Sequence, residues 1–226
     1  ITHQLNVLSG FATFLSSAIH QNYINKFDEC WVPDTKEHTF SGKLSRVKKL
    51  SIPVKFIGVL SRFQKNELPK KNDVLIILSG IESQRKQLEE SLIEKFKNTS
   101  KKVVLVQGII QDKPKRTTIK GIKVYNYLLS DVLEKEINQS EVIICRSGYS
   151  SIMDLAVLHK KAFFIPTKNQ SEQEYLAKHL QSEKIAPFSI AKDFTKEHLN
   201  IVDKYKGLKV SNTNLSKDLL GLFQGK

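Results

Sequence analysis

Ile144 to Ala156, ICRSGYSSIMDLA, sets an apolar strand-like run against a Ser-Gly turn and a helix-like segment that carries an acid. If a helix starts near Gly148, then Ile152, Leu155 and Ala156 form one face. Ser147, Ser150 and Asp154 project together from the other, by the three- and four-residue spacing of helical neighbours. The plainer reading is Ser147 as N-cap above a solvated polar face. The sharper one makes residues 147–150 a helix N-terminus that faces an anion, with Asp154 one turn deeper. A carboxylate repels phosphate, so Asp154 fits there only if it meets the cis-diol of a sugar, as acids do for a ribose.

Two neighbouring stretches offer related chemistry. In LSGIESQR (78–85) a strand-like run ends at Ser79 and Gly80 and a helix begins within a few residues, which can present backbone N–H groups to a phosphate. It matches neither GxGxxG nor a Walker motif, and a lone Gly is common in any strand-to-helix turn. In FFIPTKNQSEQEYLAKHL (163–180) a strand ends at Pro166 and a helix opens with Ser171, Glu172, Gln173 and Glu174. Ser171 with Glu174 fits a capping box. Gln173 and Glu174 also supply the donors and acceptors that sugar hydroxyls need.

Positioning these residues calls for a sheet. DVLIILSG (73–80), KVVLVQG (102–108), IKVYNYL (122–128), EVIICR (141–146), KAFFIP (161–166) and IAPFSI (185–190) are short apolar runs. Helix-like segments fall near 83–98, 131–138, 149–159, 171–183 and 195–205, while 109–121 is left unassigned. Continuous Val/Ile runs alternating with amphipathic helices predict a doubly wound α/β domain with a parallel sheet, from about residue 65 to 210. Residues 11–27 read as a helix, and 29–33 and 54–60 as strands. That is too little for a core of its own, and it looks like the tail of a preceding α/β domain. Such a tail should expose apolar surface around Phe11, Phe14, Leu15 and Trp31. RFQKNELPKKN (62–72) reads as a hinge, and 211–226 as an amphipathic C-terminal helix.

Composition excludes some classes. No run approaches the ~20 apolar residues of a membrane helix, so a soluble, cytoplasmic chain is expected. Cys30 and Cys145 sit in hydrophobic stretches without CxxC spacing, as buried reduced thiols do. The net charge of +13 invites a nucleic-acid reading. Yet the cations are scattered lysines, with Arg only at 46, 62, 85, 116 and 146, and Arg is the preferred reader of phosphate and base edges. No specific nucleic-acid partner is expected. Weak peripheral attraction to an anionic membrane surface fits the charge.

Residues 142–180 resemble the donor half of MurG-type glycosyltransferases, which transfer a sugar from a UDP-sugar. Arg146-Ser147-Gly148, Asp154, Phe164-Ile165-Pro166 and Gln173-Glu174-Tyr175 carry the resemblance, and a looser pattern runs from about 1 to 200. THQL (2–5), SGIESQR and YNYLLSD (125–131) fall where that family has further motifs. The resemblance implies the C-terminal, Rossmann-like half of a two-domain GT-B enzyme. Residues 1–62 would be the remnant of the acceptor-side domain with its linker, 63–210 the donor domain and 211–226 the terminal helix.

By the same resemblance, Asp154 binds the uridine ribose. Ser147, Gly148 and Ser150 face the diphosphate, with Arg146, Ser79 and Gly80 beside it. Leu129 lies near the uracil through its backbone. Gln173, Glu174 and Asn169 hold the transferred sugar. The implied chemistry is inverting hexosyl transfer to an unspecified acceptor, without metal or cofactor. The catalytic base belongs to the missing N-terminal domain, and the fragment is expected to be inactive alone. Asp stands where the family usually has Glu, Glu174 replaces a second Gln, and Asn169 replaces a His, so the donor sugar need not be N-acetylglucosamine. A UDP-sugar epimerase and a non-catalytic nucleotide-sugar-binding subunit share this fold and remain alternatives.

Overall fold

The computed structural model describes residues 1–8, 13–37, 39–46 and 50–210. The described residues divide into two units, one of residues 1–60 with 210 and one of residues 61–209. The amphipathic stretch expected at 211–226, like Phe11, lies outside the described residues.

In the first unit, helix α1 (Thr13–Ile24) precedes strand β1 (Cys30–Val32), which pairs in parallel with β2 (Val54–Phe56). Leu5, Ile24, Cys30 and Val32 form a small buried cluster. Asp34 is fully buried just after β1 and accepts the amides of Thr35, Phe40 and Ser41 at 2.7–3.3 Å, which folds the loop beyond it. The expected apolar exposure holds for Phe14 (87%) and Leu15 (63%), and Ile19, Tyr23 and Phe27 add to it. Trp31 differs from expectation. It is half-buried, and its indole N–H donates to Glu29 Oε1 at 2.5 Å, which gives a large ring a partnered polar edge.

The second unit is the expected doubly wound sheet. Its elements in chain order are β3 (Asn72–Ile77), α2 (Glu82–Phe96), β4 (Val103–Val106), β5 (Arg116–Ile119), β6 (Ile122–Tyr125), α3 (Ser130–Asn138), β7 (Ser140–Cys145), α4 (Tyr149–Val157), β8 (Lys161–Phe164) and α5 (Ser171–Ser182). The strand order is β5-β6-β4-β3-β7-β8, parallel throughout except for β5. Val103 to Val106 are buried without interruption, as in a strand covered on both faces. Leu88, Leu92, Ile93 and Phe96 of α2 pack on Val74, Ile76, Val103 and Leu105. α4 buries Ile152, Leu155 and Ala156, the face read from their spacing.

Three local expectations changed. β5 is an exposed antiparallel strand within KPKRTTIKG, a polar stretch with no apolar period. It forms because Lys120 and Gly121, both at positive φ, make a two-residue hairpin turn into β6. The run at 185–190 makes one bridge, Phe164 with Phe188, because Pro187 has no N–H to extend a ladder. The helix expected at 195–205 is 3-10 over Lys196–Lys204, where Leu199 and Val202 bury the i, i+3 face that this helix aligns.

The segment read as a hinge is pinned along α3. Gln64 N–H donates to Glu134 Oε2 at 2.8 Å, Asn66 N–H to Asn138 Oδ1 at 3.2 Å, and Lys71 N–H to Gln139 O at 2.8 Å. At its end two ammonium groups meet. Lys70 and the buried Lys160 both donate to Asn138 O and Ser140 O, at 2.9–3.3 Å. Burial, and then the Lys70 charge, push the Lys160 amine down to about 7. The folded chain then holds fewer protons than the unfolded one between about 7 and the ordinary lysine value near 10.4. Stability should therefore rise with pH across that window. Thermal melts from pH 7 to 9.5 should show wild type gaining on Lys160→Met, and a pH-independent difference would exclude the effect.

Both thiols are buried and unpaired. Burial pushes the Cys145 thiol up to about 12. Among the described residues, no helix is long and apolar enough to cross a membrane.

Candidate active site

The chain leaves β3 toward β4 on one side and later crosses through α3 to β7 on the other. The carboxyl ends of β3 and β7 thus form a topological switch point, where open α/β sheets hold ligands. The turns at 78–81 and 146–148 lie at those two ends, so the switch point brings the two predicted phosphate turns together. Their helices start unusually. The N-caps of α2, α3 and α4 are Ile81, Leu129 and Gly148, none with a side-chain oxygen, and Gln170 before α5 makes no side-chain cap bond. At four helix starts along one edge of the sheet the N-cap side chain therefore makes no cap bond. Capping residues would normally satisfy one first-turn donor each. By contrast, Thr195 N–H at the start of the 3-10 helix donates to His198 Nδ1 at 3.0 Å.

Ser79 and Gly80 are exposed at the end of β3, with Gly80 at φ +97° and open space where a Cβ would point. Gly148 is half-buried and Ser150 exposed in the first turn of α4. Ser147 is not with them. It is fully buried ahead of the helix, and its hydroxyl donates to Gln173 O at 2.7 Å. This removes both the N-cap reading and any phosphate contact through its hydroxyl, because α4 starts one residue later than Ser147 capping requires.

Arg146 is likewise turned inward. It is 4% exposed, and its Nη1 donates to Ile165 O and Pro166 O, both at 3.0 Å, tying the end of β7 to the end of β8. A side chain so engaged is not placed to grip a diphosphate at the sheet edge.

The Ser171–Glu174 capping box does not form. Glu174 Oε1 accepts Asn169 N–H at 2.9 Å and Gln173 Oε1 accepts Thr167 N–H at 2.9 Å. Both side chains fold the 167–170 loop, where Asn169 adopts φ +64°. Each keeps further polar atoms for a ligand. Through Ser147 and Arg146 the 146–150 and 165–174 clusters are one connected unit. Leu129 stands apart, at the end of β6. That is three strand spacings from β7, roughly 14 Å.

Asp154 is expected opposite the core face of α4, in solvent on the plainer reading and against a ribose on the sharper one. It is half-buried, and Ser61 Oγ–H donates to its Oδ1 at 2.6 Å. Burial raises its pKa, and the Ser61 bond and the nearby Arg62 charge oppose that rise. Ser61 is a partner of this candidate site residue that the sequence does not reveal. Its partner lies 93 positions away, and a Ser in a polar segment gives no signal. Among the described residues, no group of three or more His, Cys, Asp or Glu converges as a metal site would require.

An open α/β sheet that gathers several helix starts and a half-buried acid at its switch point is a Rossmann-like domain of the kind found in GT-B glycosyltransferases. Residues 74–207 match the glycosyltransferase family 28 C-terminal domain, and the chain belongs to that family. Two solved structures, the first two named here, agree in fold. The glycotransferase of kitacinnamycin is similar with a TM-score of 0.56 and 14% identity over 82% of this chain and 52% of its own. The spinosyn forosaminyltransferase SpnP gives 0.50 and 12% identity over 77% and 46%. Acinetobacter baumannii MurG gives 0.43 and 17% identity over 88% and 73%. The chain spans about half the length of the first two. No curated protein sequence matches it significantly.

Proposed function

We propose that this chain holds the donor in an inverting, metal-independent transfer of a hexosyl group from a UDP-sugar. The observation that carries the reading is the row of helix starts at the sheet's carboxyl edge whose N-cap side chains make no cap bond. There, the amides of 79–82 and 148–150 take the diphosphate. In the transfer an acceptor hydroxyl attacks the anomeric carbon from the face opposite the nucleotide, the bond to the diphosphate oxygen breaks, and UDP leaves. Aligned amides stabilise the charge that develops on that oxygen. Asp154 accepts the ribose hydroxyls, one of them in place of or beside Ser61 Oγ. The Leu129 backbone borders the uracil, and the unengaged polar atoms of Gln173, Glu174 and Asn169 face the sugar. The acceptor and the catalytic base belong to an acceptor-side domain, and no turnover is expected from this chain alone. Work at the cytoplasmic face of an anionic membrane fits the +13 charge.

Calorimetric titration with UDP, 2′-deoxy-UDP and an oligonucleotide tests the reading. UDP should bind about 10-fold more tightly than its deoxy analogue, and the oligonucleotide only weakly and with steep salt dependence. Absence of UDP binding, or equal binding of the two nucleotides, would count against it.

A further inference from the structure

A cavity of about 680 Å³ opens between α2 and residues 190–192 and shares Arg146, Asn169 and Glu174 with the candidate donor site. Its volume is in the range of small-molecule sites. Arg146 lines it and is 4% exposed. Its Nη atoms donate to Ile165 O and Pro166 O at 3.0 Å and to Gln84 O at 3.4 Å, all neutral carbonyls. Its Nε is buried without a hydrogen-bond partner, and so is Oε1 of Gln84 in the same wall. Lys168 and Lys192 also line the cavity. Among the described residues, no carboxylate pairs with any of the three cations. A buried guanidinium without a counter-charge is unfavourable unless something else supplies the anion. Glu174, the acid at the rim, already accepts Asn169 N–H through Oε1. Leu88 and Ile190 give the walls an apolar part suited to the C–H face of a ring.

We propose that this cavity takes a carboxylate-bearing sugar ring, so that the donor is a UDP-hexuronate and not a neutral UDP-hexose. The proposal rests on the donor reading above. The carboxylate lies against Lys168, Lys192 and the Arg146 wall. A ring hydroxyl, which both donates and accepts, can satisfy Gln84 Oε1 and Arg146 Nε together once the Gln84 side chain turns.

Titrating UDP, UDP-glucose and UDP-glucuronate into the chain tests this. UDP-glucuronate should bind at least about 10-fold more tightly than UDP-glucose. The double variant Lys168→Ala/Lys192→Ala should bind both UDP-sugars as wild type binds UDP-glucose. Arg146 is left in place because it also ties two strand ends. If UDP binds but the two UDP-sugars do so equally, or the neutral one is preferred, this proposal alone falls. The same holds if the preference survives in the double variant. If UDP itself does not bind, the donor reading fails and takes this one with it.

Discussion

Replacing Asp154 with Asn should weaken UDP binding about 10- to 100-fold while leaving the fold at least as stable. The carboxylate is half-buried, holds one bond from Ser61, and leaves Oδ2 for a second hydroxyl. Hydrogen bonds to charged groups contribute roughly 1.5–3 kcal/mol each, and solvent access keeps the sum near the low end. Asn retains an acceptor for Ser61 but loses the charge and one of the two acceptors a diol needs. The stability half follows from the sign of the pKa shift. Burial, the largest cause, raises the Asp154 pKa above its ordinary value. The folded state thus binds that proton more tightly than the unfolded state, so ionised Asp154 costs stability above its folded pKa. The cost disappears below the ordinary Asp value. At neutral pH the amide removes it. Calorimetry with UDP and thermal melts measure the two halves separately. Unchanged UDP affinity would remove Asp154 from the ribose. A clear drop in melting temperature would make it a structural acid.

Gly108→Ala should destabilise the second unit by about 2–4 kcal/mol and disturb donor binding with it. Gly108 follows β4 at φ +72°, and a Cβ there would lie 2.5 Å from Leu78 O, at the end of β3. Left-handed backbone alone costs an L-residue roughly 1–2 kcal/mol. Relieving the contact requires moving a main-chain carbonyl, because no flexible side-chain tip is involved. Leu78 N–H also donates to Val106 O at 2.9 Å, so the ends of β3 and β4 must shift together. Ser79 and Gly80 follow directly, and the amides proposed to hold the diphosphate would shift with them. Gly80→Ala is the control. Its φ is +97°, but nothing lies within 4 Å of the added carbon, so only backbone strain of about 1–2 kcal/mol applies. Gly108→Ala should lower the melting temperature by roughly 5–15 °C. A melt no lower than that of Gly80→Ala would show that the strands yield easily.

Much of this architecture was legible because burial on both faces leaves a mark in sequence. Runs such as Val103 to Val106 and Ile143 to Cys145 read as parallel strands without knowledge of their partners. The apolar spacing of α4 identified its buried face, and Asp154 fell on the same helix as expected. What the sequence hid was side-chain direction at element ends. Ser147 and Arg146 sit one and two residues before the α4 N-cap. That small offset turns a hydroxyl toward Gln173 O and a guanidinium toward Ile165 O and Pro166 O. Gln173 and Glu174, expected to face a sugar, each accept a backbone N–H of the loop just before α5. Ser61 and Lys70 make their contacts across 93 and 68 positions, a separation that no local pattern encodes. β5 was missed for the opposite reason. Exposed throughout, it needs no apolar residues, and its only signature is the turn that follows it.

β5 closes one side of the sheet with Arg116, Thr117, Thr118 and Ile119 all exposed, and Lys113 and Lys115 precede it on the same exposed stretch. An outer strand with unpaired backbone is a ready template for another copy of itself. Here two copies approaching side by side would bring like charges together before any backbone bond could form. That repulsion reaches only about 10 Å at 0.1 M salt and shortens as salt rises. The same cations that give the chain its high net charge therefore act as a spacer between molecules at the sheet's outer strand. Self-association through that strand becomes a matter of ionic strength, while the fold itself stays unchanged.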